Sequence, residues 1–95
     1  MDYEWNEAKN ALNTQKHGLP FELAVRVFDD PHHLTLFNRE VGKEVRWHTI
    51  GCIENIVVIM VVHTLRSRDG QQVMRIISAR KASRLERKNY EKNKE

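Results

Sequence analysis

Cysteine is almost missing from this chain. The single Cys52 has no partner within it, which excludes an internal disulfide and suits a reducing compartment. Long apolar runs are missing as well: the longest, Ile56 to Val62, falls far short of the roughly 20 residues that cross a bilayer. The first residues, Met1-Asp2-Tyr3-Glu4, are acidic where a secretory signal would be basic. These absences lead us to expect no signal peptide, no membrane span, no export and a cytoplasmic location. No Cys-x-x-Cys or His-Glu-x-x-His pattern is present, nor a Gly-rich loop ahead of a lysine, so neither a metal nor another cofactor is expected. The adjacent His32 and His33 would point to opposite faces of a strand, and Asp29-Asp30 before Pro31 reads as a helix stop rather than a cation site. With only 4 Gly and 2 Pro, the composition is neither collagen-like nor that of a disordered linker.

What is present is 40% hydrophobic and 31% charged residues in 95, the make-up of a compact soluble protein with one domain over residues 1–95. The formal net charge of +3 conceals a strong asymmetry. Between positions 66 and 88 stand Arg66, Arg68, Arg75, Arg80, Lys81, Arg84, Arg87 and Lys88, opposed only by Asp69 and Glu86. Residues 1–65, by contrast, carry more acids than bases. A block of this kind attracts polyanions, and arginine's planar fork grips phosphate through paired hydrogen bonds. Nucleic acid is the partner that the charge pattern puts first.

Two helices open the chain. Asn6 suits an N-cap, Ala8, Ala11 and Leu12 follow at helical spacing, and Lys16-His17-Gly18 forms a C-terminal signal, so a helix is expected over about 6–17. Pro20 then starts a second, in which Phe21, Ala24, Val25 and Phe28 line one face until Asp29-Asp30-Pro31 ends it, over about 20–28. The periodicity next changes to two. Strands are expected over His33–Phe37, Val45–Ile50, Asn55–Arg66 and Gln71–Ala79, with turns at Asn38–Gly42 and Ser67–Gly70. Ser83-Arg84-Leu85-Glu86 has the form of a capping box and opens a last helix that frays near Asn93. The order is α-α-β-β-β-β-α, an α+β fold: a four-stranded antiparallel sheet with helices packed on one face and the other face free. Strict alternation places Val73, Arg75, Ile77 and Ala79 on one face of the last strand. In the strand before it His63 and Thr64 point oppositely, and a turn of uncertain length leaves open which of them joins Arg75.

A ribonuclease that works without metal needs a base for the ribose 2′-hydroxyl, cations for the charge growing on the phosphorus oxygens, and an acid for the departing 5′-oxygen. The arginines supply the cations. His48 and His63 are the strand histidines suited to proton transfer, with Lys81 and Tyr90 joining them if their surroundings shift their pKa values. The same basic surface also fits a non-catalytic RNA-binding module, or an interaction protein that holds a partner without cutting RNA. Cys52, Trp5 and Trp47 read as packing residues.

The blocks Trp5-Asn6-Glu7-Ala8-Lys9, Asn13, Lys16-His17-Gly18, Phe21-Glu22, Val27-Phe28-Asp29-Asp30-Pro31, Arg46-Trp47-x-x-Ile50-Gly51, Val61 to Arg66, Arg75-Ile76-Ile77-Ser78-Ala79-Arg80-Lys81-Ala82 and Glu86-Arg87-x-x-Tyr90 together resemble the BrnT family, in order and over nearly the whole chain. BrnT proteins are ribonuclease toxins of bacterial type II toxin–antitoxin pairs. The resemblance implies a RelE-like fold and RNA cleavage that stops translation. It also implies neutralisation by a BrnA-type antitoxin whose ribbon-helix-helix part binds DNA, so that the toxin meets DNA only through a toxin–antitoxin hetero-oligomer. It further implies site residues, Arg80 first, then Arg66 and Arg75, then Lys81, Glu86 and Tyr90, with His17 and His63 after them. To these we assign phosphate stabilisation by Arg66 and Arg80, substrate positioning by Arg75, proton transfer by His63, and further substrate contacts by Lys81, Glu86, Tyr90 and His17.

Overall fold

The computed structural model describes all 95 residues. The first helix, α1 (Glu7–His17), forms where its caps predict. The Asn6 side chain accepts from the Lys9 amide at 3.0 Å, and Gly18, at φ 66°, returns its N–H to Thr14. The second helix winds differently from expectation. A single α turn, α2 (Phe21–Ala24), tightens into a 3₁₀ segment over Val25–Asp29, where β-branched Val25 and Val27 disfavour continued α winding.

Five strands form, not four. β1 (Asp2–Glu4), β2 (Leu34–Val41), β3 (Glu44–Ile53), β4 (Val57–Arg68) and β5 (Gln71–Lys81) lie in the order β1-β5-β4-β3-β2. β1 runs parallel to β5, whereas every other pair is antiparallel. Three residues are too few to show a period of two, so β1 leaves no local trace in the sequence. The first hairpin turns at Gly42-Lys43, with Gly42 at φ 63°, and not earlier at Asn38–Gly42. Asn38 instead sits at a register shift between Phe37 and Arg39. β3 continues through Gly51, over which Val27 of the 3₁₀ segment passes closely. A Cβ there would lie 2.5 Å from Val27 Cγ2, so only glycine admits the crossing.

Both faces of the sheet carry helical cover, which corrects the one-sided arrangement read from the sequence. On one face Leu19, Phe21, Ala24 and Val27 pack with Ile53, Ile59, Val61, Ile76 and Ala79 to form the main core. On the other, α3 (Arg84–Asn93) sets Tyr90 against Ile50 and Met60, with Cys52, Val58, Val62 and Ala82 around them. α3 covers only part of this second face, and the strand ends beyond it stay open.

α1 lies along the outer edge of β5, past the point where β1 stops. The Asn13 side chain there serves as a strand would: Nδ2 donates to the Ala79 and Leu19 carbonyls, both at 2.9 Å, and Oδ1 accepts from the Ala79 amide at 3.2 Å. Removing this amide leaves partly buried backbone groups without partners. Asn13→Ala is expected to lower stability by about 2 kcal/mol in urea unfolding, within the range for such groups. A loss below about 0.5 kcal/mol would show that water replaces the amide freely.

Candidate nucleic-acid interface

The face beyond α3 is assembled by cross-strand register. Thr64 pairs with Arg75 and Arg66 with Val73, while Met60 pairs with Arg80 and Val62 with Ser78. His48 stands opposite Val62, and Arg46 precedes it by one step of two on β3. Arg46, Arg66, Arg68, Arg75 and Arg80 therefore all share this face, together with His48. The arrangement depends on a β-bulge. Val62 pairs with Ser78 but His63 pairs with Ile76, so Ile77 is an extra residue in β5. It breaks the strict alternation expected for that strand: Ala79 joins Ile76 in the main core, while Arg75 stays on the open face.

The two-residue turn at Asp69-Gly70 decides between His63 and Thr64, because it pairs Arg68 with Gln71 and the register runs unbroken from there to Arg75. Thr64 joins Arg75, and His63 faces the main core, 4% exposed, with its Nε2 2.7 Å from the Thr49 hydroxyl and its ring edge-on to Phe28. Its Nδ1 is buried without a partner. Burial, reinforced by the nearby charges of His48 and His33, pushes its pKa down to about 4. The expected proton carrier is thus separated from the arginines by the thickness of the sheet.

Carboxylates from three different elements hold the arginines. Glu4 of β1, directly beside Arg75 in register, accepts from Arg68 Nε at 2.6 Å, Arg68 Nη2 at 3.1 Å and Arg75 Nη1 at 2.7 Å. Those hydrogen bonds, Arg68's before Arg75's, hold its carboxyl below the usual range. Glu44 accepts from Arg66 Nη2 at 3.1 Å and lies 3.4 Å from Arg46 Nε. Glu86 closes the α3 capping box with Ser83 and at the same time grips the Arg80 fork, at 2.8 and 3.0 Å. Burial would raise the Glu86 pKa, but the Arg80 and Ser83 hydrogen bonds outweigh it and lower it.

The remaining expected site residues lie elsewhere. Lys81 pairs with Ile59, so it leaves β5 on the side opposite Arg80. His17 lines a separate shallow cleft with Lys16, Lys9 and Leu12 at the β5 edge. Tyr90 is buried, and its hydroxyl donates to Asp30. Burial first, and then the Asp30 carboxylate, raises the Tyr90 pKa, so its proton stays in place. Asp30 also accepts from the Cys52 and His32 amides, at 2.7 and 2.9 Å, and thereby ties the end of the 3₁₀ segment to β3 and α3. The Asp29-Asp30 stop accordingly has one structural carboxylate, and no three His, Cys, Asp or Glu side chains converge as metal ligands. Glu4 and Glu44 count only as opposing acids in the sequence, where nothing local marks them as arginine partners.

The basic rows extend along the sheet. From the Met60–Arg80 row to the Arg66–Val73 row is about 20 Å at roughly 3.3 Å per strand residue, so Arg66 and Arg80 cannot meet at one phosphorus. The Arg75 row lies about 13 Å from the Arg80 row by the same measure, with the His48–Val62–Ser78 row between them.

Comparison with known proteins agrees with this architecture. A family model described as "Ribonuclease toxin, BrnT, of type II toxin-antitoxin system" matches residues 5–86. Among solved structures, the 1.1 Å crystal structure of the Brucella abortus ribonuclease toxin BrnT aligns with a TM-score of 0.63 at 26% identity, covering 88% of this chain and 99% of that one. No match is found among curated proteins.

Proposed function

Because the chain belongs to the BrnT family of ribonuclease toxins of type II toxin–antitoxin systems, we propose that it cleaves RNA on its arginine face without a metal ion, in the cytoplasm, and so inhibits translation. The observation that carries this reading is the placement of Arg46, Arg66, Arg68, Arg75 and Arg80 on one face of the sheet, Arg80 against the start of α3 and the others beyond it. In such a cleavage the ribose 2′-oxygen loses its proton and attacks the adjacent phosphorus. The bond to the 5′-oxygen breaks, that oxygen takes a proton, and a 2′,3′-cyclic phosphate remains. Guanidinium groups fixed beside the phosphate stabilise the charge that builds on its free oxygens.

The row spacing suggests a division of labour. Arg75 and Arg80 flank the scissile phosphate from either side, and Arg66 and Arg68, farther along, hold a neighbouring phosphate of an extended strand. This exchanges the roles first expected of Arg66 and Arg75. His48 is the imidazole on that face, and we assign it the proton transfer first expected of His63. The antitoxin is a BrnA-type protein with a ribbon-helix-helix DNA-binding part. It neutralises the toxin in a hetero-oligomer, and DNA is reached only through that assembly.

The test is to incubate the purified protein with ribosome-free RNA in excess chelator. Cleavage yielding cyclic phosphate ends is expected. Cutting that appears only on adding a divalent cation would reject the metal-free chemistry, and salt-sensitive binding with no cutting would favour a non-catalytic RNA-binding role.

A further inference from the structure

We propose that Glu4 and Glu44 are positioning residues of the cleavage site, each fixing two guanidinium groups in the geometry that the phosphate requires. The inference rests on the ribonuclease reading and extends it to residues outside the basic block. Arginine has a long, rotamer-rich side chain, and an array of unrestrained arginines would have to be ordered anew each time RNA binds. Here the ordering precedes the substrate. The Glu4 carboxylate divides its oxygens, Oε1 to Arg68 Nε and Oε2 to Arg68 Nη2 and Arg75 Nη1. Glu44 does likewise, Oε1 facing Arg46 and Oε2 accepting from Arg66.

Each carboxylate is itself held by backbone pairing: Glu4 by its parallel register with Arg75, Glu44 by the β2–β3 ladder opposite Val41. Both are largely covered, with side chains 18% and 28% exposed, whereas Arg68 is 60% exposed. Without Glu4, Arg68 has nothing else that binds its fork. An arginine has five donors, and those left free by the carboxylate remain available to a phosphate.

These carboxylates oppose binding while they favour turnover. A glutamate beside a phosphate repels it, so its presence lowers affinity for RNA. Its geometric effect is felt in the rate, which depends on guanidinium placement to within a fraction of an ångström. Removing the charge should therefore move binding and cleavage in opposite directions, which damage to the fold would not do.

The experiment compares wild type, Glu4→Gln and Glu44→Gln. Affinity is measured with a 2′-O-methyl oligonucleotide that cannot be cut, and single-turnover cleavage with the matching RNA. For each variant we expect binding tighter by a few-fold, a salt dependence steeper by about one phosphate contact, and cleavage slower by about 10- to 100-fold. Thermal unfolding of each variant reports on the fold, and the two substitutions lie in different strands, so one stands if the other misfolds. Unchanged cleavage in both variants overturns the proposal, as does a joint loss of affinity, rate and melting temperature. If wild type itself leaves RNA intact, the ribonuclease reading fails and the proposal fails with it.

Discussion

Replacing Arg80 with alanine is expected to slow RNA cleavage by about 10²- to 10³-fold, the usual cost of removing one fixed donor from a developing oxyanion. Arg80 is the best-anchored guanidinium on the face. Both its terminal nitrogens bond Glu86, and Nη1 also donates to the Lys81 carbonyl. The fold should tolerate its loss. Glu86 keeps its capping bonds with Ser83, and the pair is exposed enough that screening limits its contribution to stability to about 1 kcal/mol or less. Arg80→Lys should recover little of the rate, because an ammonium is a point donor and cannot reproduce the planar fork. Single-turnover cleavage with circular dichroism on the same samples makes the comparison. Equal rates for Arg80→Ala and wild type would remove Arg80 from the site.

His63 should govern stability rather than chemistry. Its folded pKa of about 4 lies well below the usual 6.5, so the unfolded chain takes up a proton in a range where the folded one does not. Its contribution is therefore fully present above about pH 6.5 and lost progressively as the pH falls toward 4. Between pH 7.5 and 5 the linkage amounts to roughly 2 kcal/mol of lost stability. The carboxylates with lowered values, Glu4, Glu22, Asp30 and Glu86, act in the same direction but mainly below their ordinary range of about 4 to 4.5, so this window isolates the histidine. Urea unfolding at the two pH values is expected to show the loss in wild type, and His63→Gln to abolish most of it while still cutting RNA at pH 7.5. A flat stability profile in wild type would contradict the buried, neutral imidazole. Loss of cleavage in a folded His63→Gln would return this residue to the site.

Both results turn on features that differ in how plainly they were written in the chain. The α1 caps at Asn6 and Gly18 and the α3 capping box are short-range signals, and they formed where they were read. The second hairpin was legible too, since Asp69 and Gly70 both adopt left-handed backbone suited to a two-residue turn. The first hairpin was misplaced because Asn38 carries turn chemistry as strong as that of Gly42, yet it sits at a bulge instead.

The α+β class, the family and the positive block between positions 66 and 88 can all be read from the residues without the fold. Composition, capping residues and the arginine-rich block act locally or in sum, and they need no knowledge of which segments meet. Which of these residues share a face came from the folded chain alone. One extra residue at Ile77 reverses strand parity and so brings Arg80 onto the face of Arg75, while the length of the Asp69-Gly70 turn sets Thr64 rather than His63 beside Arg75. Glu4 reaches Arg75 across a sequence separation of 71 residues, through a strand too short to announce itself. Register and long-range pairing depend on how the core closes, because the favourable contacts exist only once distant segments have met. The arginines, Glu86 and His48 were therefore visible in the chain, whereas Glu4 and Glu44, and the side of the sheet on which each histidine falls, were not.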